Sequence, residues 1–198
     1  GIVHPTKIIP TVMRFVDIAG LVKGASQGEG LGNQFLSHIR EVQAIAHVVR
    51  CFDDENITHV AGRVDPVADV ETIETELALS DIERLHKLKD KVQKLAKSKD
   101  QSALEQLEGI DRLLAHLDHH THFLEQSSDL LALAHSMGCL TAKPCFFVAN
   151  VKEGALDSPA LAALKALAQS RGIPVVVLCA TFEAELSTLD AQDQQLFL

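Results

Sequence analysis

The 198-residue chain is long enough to bury one good core, with room for an inserted sub-domain. Its net charge of −9 excludes broad, non-specific binding of DNA or RNA over the whole surface and leaves room only for a local basic patch. Eight Phe and no Trp or Tyr leave the core mostly to Leu, Val, Ile and Ala.

In chain order, residues 1–10 read as a connecting segment with two prolines, and Val12–Val16 as a strand. A glycine-rich loop follows, from Asp17 through Gly32, and then an amphipathic helix from Asn33, its expected cap, to Val42. An Asp closing a buried strand with a Gly three residues on is the pattern of a phosphate-sensing switch. Asp17 would hold a magnesium ion through water, and the Gly20 amide would meet a terminal phosphate. Ala44–Phe52 is a second strand, nearly continuous in apolar residues as a parallel strand buried on both faces should be. His47 inside it reads as a core histidine. Asp53–Val64 is a polar loop that carries His59.

Apolar residues from Val70 to Leu95 and from Leu104 to Leu117 recur at three- and four-residue steps on either side of Ser98-Lys99-Asp100. That predicts an antiparallel helical hairpin with arms of roughly 25–30 Å. A third helical run, Phe123–Met137, ends at Gly138. Pro144–Ala149 is a third strand leading into Asn150-Val151-Lys152-Glu153. Ser158 and Pro159 open a helix through Ser170 that Gly172 stops, Ile173–Leu178 is a fourth strand, and Phe182–Leu198 is a final amphipathic stretch. Strands alternating with helices predict an α/β fold with a mainly parallel sheet, the helical block being an insertion. Ligands bind such sheets at the carboxyl ends of the strands. Asp17, the 53–59 loop, Asn150 and Cys179 all follow expected strand ends, so four polar segments converge on one edge.

The four cysteines, Cys51, Cys139, Cys145 and Cys179, show no C-x-x-C spacing, and three lie in or at the ends of apolar runs. That predicts a reducing compartment without a disulfide framework. No apolar run approaches the ~18 residues that span a bilayer, and the first residues are not basic-then-apolar. A cytoplasmic protein with no membrane partner is expected. Arg84, Lys87, Lys89, Lys91, Lys94, Lys97 and Lys99 form a positive arm on an acidic chain, either a solvated helix face or a contact for RNA phosphates. His116, His119, His120 and His122 cluster near the hairpin base without an H-E-x-x-H pattern, and read as solvated or capping side chains rather than zinc ligands.

Phe15-Val16-Asp17-Ile18-Ala19-Gly20-Leu21-Val22-Lys23-Gly24-Ala25, continued by Gly28-Glu29-Gly30-Leu31-Gly32-Asn33, resembles the third nucleotide motif of the Obg-like ATPases of the YchF type. The likeness extends through His47–Phe52, Ile57–Val60 and Thr75–Leu79 over essentially the whole chain, and is weakest in the hairpin. It implies a Ras-like P-loop domain with an inserted helical hairpin: residues 1–68 and 139–198 nucleotide-binding, residues 69–138 the insertion. It also implies a ribosome-associated enzyme that uses Mg2+ with ATP in preference to GTP. Asn150-Val151-Lys152-Glu153 stands at the base-reading motif, with Cys179 and Ala180 beside the adenine. Guanine offers N1 and N2 donors to an Asp, whereas adenine lacks both. The longer Glu153 displaces that carboxylate while Asn150 still faces N7 and the exocyclic amine. Leu21 stands where Ras-type enzymes place a water-orienting Gln, so another group must serve, and His59 is the candidate.

No G-x-x-x-x-G-K-[ST] occurs in the chain. In the family that motif precedes Gly1, and a TGS-type domain follows the region matched here. The expectation is therefore a central piece of the protein that does not hydrolyse ATP alone. The alternative is a non-catalytic ribosome- or RNA-binding module acting through Arg84, Lys87, Lys91 and Lys94.

Overall fold

The computed structural model describes residues 12–18, 31–54, 64–96, 100–123, 128–190 and 193–194. Their order is α1 (Leu31–Glu41), β1 (Ile45–Arg50), α2 (Pro66–Ala96), α3 (Gln101–Leu117), α4 (Ser128–Ser136), β2 (Cys145–Asn150), α5 (Pro159–Arg171), β3 (Val175–Leu178) and α6 (Ala180–Ser187). The fold is α/β, and the three strands form one parallel sheet in the order β1-β2-β3.

Local chemistry sets several boundaries. Ser158 Oγ accepts from Leu161 N–H at 3.2 Å, Pro159 pre-sets the first turn of α5, and Gly172 ends it in the left-handed region at φ +67°. Gly138, at φ +68°, ends α4 in the same way. Asp100 caps α3 through Ser102 N–H.

The two sheet faces differ. Val49, Phe147 and Ala149 are buried against Val70 of α2 and Leu161, Leu164 and Ala168 of α5. Val48, Val148 and Val176 share a register row and point the other way. Val48 and Val176 remain 63% and 47% exposed, so among the described residues that face is open.

Helix α2 runs unbroken for 31 residues and links all three cores. Val70 joins the sheet core, Leu77 packs with Leu36 and Ile39 of α1 and with Leu140, and Leu85 and Val92 pack with Ile110, Leu113 and Leu117 of α3. At 1.5 Å per residue it is about 46 Å long, well beyond the expected arm, because its first three turns are sheet-packing helix. Only α3, at 17 residues or about 25 Å, has the expected length.

Three other expectations are corrected. Val12–Val16 is not a strand: it has no regular structure, and Phe15 is 71% exposed. A lone extended segment has no ladder partner to hold it, and none lies beside it among the described residues. Asn33 does not cap α1, which already begins at Leu31. Phe123 lies outside α4, stacked instead on His116 at 4.5 Å between centroids.

Candidate functional site

The carboxyl ends of the three strands meet at one edge. Arg50, Asn150 and Leu178 occupy one register row, with Arg50 and Asn150 on the open face. The ladder continues past it: Cys51 N–H donates to Asn150 O at 2.8 Å, and Val151 N–H to Leu178 O at 2.9 Å. Asn150 Oδ1 accepts from Ala180 N–H at 3.0 Å. A backbone N–H only donates, so the amide oxygen must face Ala180, and the side-chain NH2 is turned elsewhere. Ala180 opens α6, where N–H groups lack helical partners, and Cys179 at the cap position makes no side-chain bond. Asn150 supplies that cap from a neighbouring strand.

The edge thus brings together Asn150, Val151, Cys179 and Ala180. Val151 is buried, Cys179 half-buried and Ala180 exposed. Glu153 is exposed in a tight turn whose next residue, Gly154, has φ +73°. Asp17 is exposed in an irregular segment rather than closing a buried strand, which corrects that expectation. Gly20 and His59, with Leu21, lie outside the described residues.

Sequence reasoning missed three polar features. The first is Arg50, whose Nε–H donates to Phe52 O at 2.9 Å and whose guanidinium lies 4.9 Å from the Phe52 ring centroid. The signal for it was an Arg closing an otherwise apolar strand. The second is Asp81 on α2, fully buried, whose carboxylate accepts from Leu140 N–H, Thr141 N–H and the Thr141 hydroxyl at 2.9, 2.9 and 2.8 Å. Beside it Arg40 of α1 donates to Ser80 Oγ at 2.8 Å, and Lys143 Nζ donates to Arg40 O at 3.2 Å and Val42 O at 2.5 Å. The third is a nearly buried ion pair between Glu74 of α2 and Arg171 of α5. Burial pushes the Glu74 carboxyl up, and the Arg171 guanidinium pulls it back only in part. Thr121 lies close enough to favour the charged form as well, but among the described residues the second oxygen has no partner in hydrogen-bond geometry.

Within the histidine cluster, His116 makes the contacts. His116 and His120 rings lie 5.0 Å apart and tilted, and His116 Nε2 bonds to His122 O at 2.9 Å. Among the described residues no three His, Cys, Asp or Glu side chains form a metal-holding group. Burial, then Arg171, His120 and His116, push the His122 imidazole down. Burial likewise holds the thiols of Cys51 and Cys145 near a pKa of about 11 and that of Cys139 near about 12, so these three stay unreactive core groups.

His47 meets the Phe147 ring edge-on at 5.8 Å, and burial pushes its pKa down to about 4. The folded state therefore keeps it neutral, while the unfolded chain takes a proton below about 6.5. Stability from this group is complete above that pH and is lost as pH falls toward 4. Between pH 7 and 4.5 the expected loss is about 2 kcal/mol. His47→Gln should remove that part of the acid sensitivity in thermal melts; an unchanged pH slope would refute it.

On the arm, much of the basic stripe is engaged within the chain. Arg84 Nη1 donates to Gly138 O at 3.1 Å, Lys87 pairs with Glu83, and Lys89 pairs with Asp111 at 2.6 Å. Lys91 and Lys94 are exposed, without an ion-pair partner among the described residues. No helix among those residues is long and apolar enough to cross a membrane.

Residues 3–81 match the family model described as "50S ribosome-binding GTPase". The whole chain is 44% identical to the ribosome-binding ATPase YchF of Bacillus subtilis (strain 168), covering 56% of that protein. It is also 44% identical to that of Escherichia coli O157:H7, again over 100% of this chain and 55% of that protein. The solved "Structure of the Schizosaccharomyces pombe YchF GTPase" superposes with a TM-score of 0.73 at 32% identity, over 90% of this chain and 50% of that one. The chain spans about half the length of the curated relatives it matches. Similarity running from end to end of this chain, on a fold shared with a solved relative, shows homology to the YchF proteins over the stretch they share.

Proposed function

We propose that this chain supplies the base-recognising edge and the switch segment of a ribosome-associated, ATP-preferring NTPase of the cytoplasm. The observation that carries the reading is the Asn150 Oδ1–Ala180 N–H bond, which draws the Asn150–Glu153 motif and the Cys179–Ala180 turn into one edge. A purine laid there would meet the Asn150 NH2 at N7, and the second oxygen lone pair suits the exocyclic amine of adenine. Glu153, exposed on its turn, carries its carboxylate on a longer side chain than the Asp that selects guanine, which favours adenine in this reading.

Asp17 suits a magnesium ion held through water, since its carboxylate is exposed and has no partner among the described residues. Such an ion would neutralise charge on the nucleotide phosphates. His59 is the candidate for orienting the attacking water. Residues 1–68 and 139–198 are assigned to the nucleotide-binding part and 69–138 to the arm, with the root of α2 shared between them.

The names of the relatives divide between ATPase and GTPase, so competition is the direct test. A fluorescent ATP analogue is titrated against the chain alone and against a form joined to a phosphate-gripping segment like that of the family. Negligible binding and hydrolysis are expected alone, and ATP-preferring binding when joined. Preference for the GTP analogue would overturn the reading.

The second reading, a non-catalytic RNA-binding arm, rests on Lys91 and Lys94, which are exposed and without an ion-pair partner among the described residues. With Arg84, Lys87 and Lys89 engaged inside the chain, it offers few phosphate contacts, and therefore a shallow salt dependence.

A further inference from the structure

We propose that the turn after α3, residues 118–123, is an acid-sensitive latch: it fastens the base of the hairpin to the junction of α2 and α5, and lets go when His122 takes up a proton. The inference is independent of the nucleotide-site reading and is carried by the packing of residues 116–123.

The turn folds back on the end of α3. The amides of His119 and His120 donate to His116 O at 3.1 and 2.9 Å. The His116 ring lies on Phe123, 4.5 Å between centroids and 14° between planes, and its Nε2 is 2.9 Å from His122 O. A carbonyl only accepts, so Nε2 carries a hydrogen, and this bond survives a second proton on the ring. On its other side the turn meets the nearly buried Glu74–Arg171 pair. Thr121 lies close enough to Glu74 to favour its charged form, and Arg171 acts on His122. Helices α2 and α5 and the end of α3 thus share one polar junction, and the turn closes it.

His122 is the weak point of that closure. Its Nδ1 is buried and has no hydrogen-bond partner among the described residues. As a bare ring nitrogen it is one unused acceptor. As the N–H of an imidazolium it would be a buried charged donor with nothing to receive its hydrogen, a far larger cost. The charges that act on it are all basic: Arg171 of α5, His120 of the turn and His116 of α3. The carboxylates on this side of α2 are placed differently, Glu74 being engaged by Arg171 with Glu71 beside it, and the Cys145 thiol of β2, near about 11, stays neutral.

The closed turn therefore keeps His122 neutral, while a released turn lets it take a proton below about 6.5. Closure is complete above that pH and weakens as pH falls, by at most about tenfold per pH unit for one proton. Glu74 has the opposite sign. Burial pushes its carboxyl up, so a proton there favours the closed junction.

The test follows the 198-residue chain by NMR from about pH 7.5 to about pH 5, the range over which an ordinary histidine titrates. The His122 ring signals give its midpoint directly, with no substitution needed. Protection of the His119 and His120 amides against hydrogen exchange, taken relative to a free peptide so that the intrinsic pH effect cancels, reports release of the turn. His122 should titrate below the ordinary histidine value, and protection should fall several-fold between about pH 7 and about pH 5.5. Phe123 ring signals, shifted by stacking on His116, should move along the same curve. His122→Gln, neutral throughout, should hold its protection level, and Glu74→Gln, which removes the opposing titration, should still show the fall. A His122 midpoint at or above about 6.5 would overturn the proposal. So would protection that does not change in the parent, that falls equally in His122→Gln, or that ceases to fall in Glu74→Gln.

Discussion

Replacing Asp81 with alanine is expected to lower the unfolding free energy by about 3–5 kcal/mol. The carboxylate is fully buried and serves three donors on the segment that enters β2: two backbone N–H groups and a hydroxyl. Removing it strands those donors in the interior, at about 1–3 kcal/mol each before any water enters. Some of that cost is recovered by collapse of the site, which brings the total to the stated range. Asp81→Asn keeps the shape and one accepting oxygen but turns an NH2 toward a donor, so it should fall between the two. Urea unfolding followed by far-ultraviolet circular dichroism is the suitable measurement, since the chain has neither Trp nor Tyr to report by fluorescence. A loss below about 1 kcal/mol in Asp81→Ala would show that the junction of α1, α2 and the β2 entrance is held by its apolar contacts alone.

The second large effect concerns the Glu74–Arg171 pair, which joins α2 to the last turn of α5 with both side chains nearly buried. Arg171→Leu alone should cost about 3–5 kcal/mol, because it leaves a buried carboxylate with no compensating charge. The double variant Glu74→Met with Arg171→Leu should return close to the parent stability or exceed it, since two apolar side chains avoid the desolvation that the ion pair carries. The unpaired second oxygen of Glu74 favours that outcome, because the present pairing leaves one buried acceptor unused. A double variant as destabilised as Arg171→Leu alone would refute the argument.

What the sequence made legible follows the range of the forces involved. Helix α5 was readable at both ends, because Ser158, Pro159 and Gly172 act within a few residues of their own positions. β1, β2 and β3 were readable as apolar runs, and the Asn150–Glu153 motif as a polar segment at a strand end. Val12–Val16 has the composition of a strand, but a strand exists only with a neighbour, and composition carries no record of one. The length of α2 was underestimated because a hairpin arm and a sheet-packing helix share one periodicity; only the partners differ, Leu113 for Leu85 and Leu161 for Val70. The candidate edge divides likewise. Asn150 was found from its motif, but its bond to Ala180 joins residues 30 apart, and that of Asp81 to Leu140 spans 59. Acidic and basic residues in a helical stripe read as surface by default, which hid Asp81, Glu74 and the engaged Arg84.

The continuity of α2 has a mechanical consequence. Its first turns are fixed in the sheet core through Val70, its middle is fastened to α1 and the β2 entrance by Ser80 and Asp81, and its far half carries α3. A helix fastened over its first half acts as a rigid pointer: a tilt of about 5° at residues 80–81 would swing the free length of about 23 Å through about 2 Å at its end. Small tilts at that anchorage therefore become larger displacements at the far end of α2. The arm is a gauge needle whose pivot lies at Ser80 and Asp81.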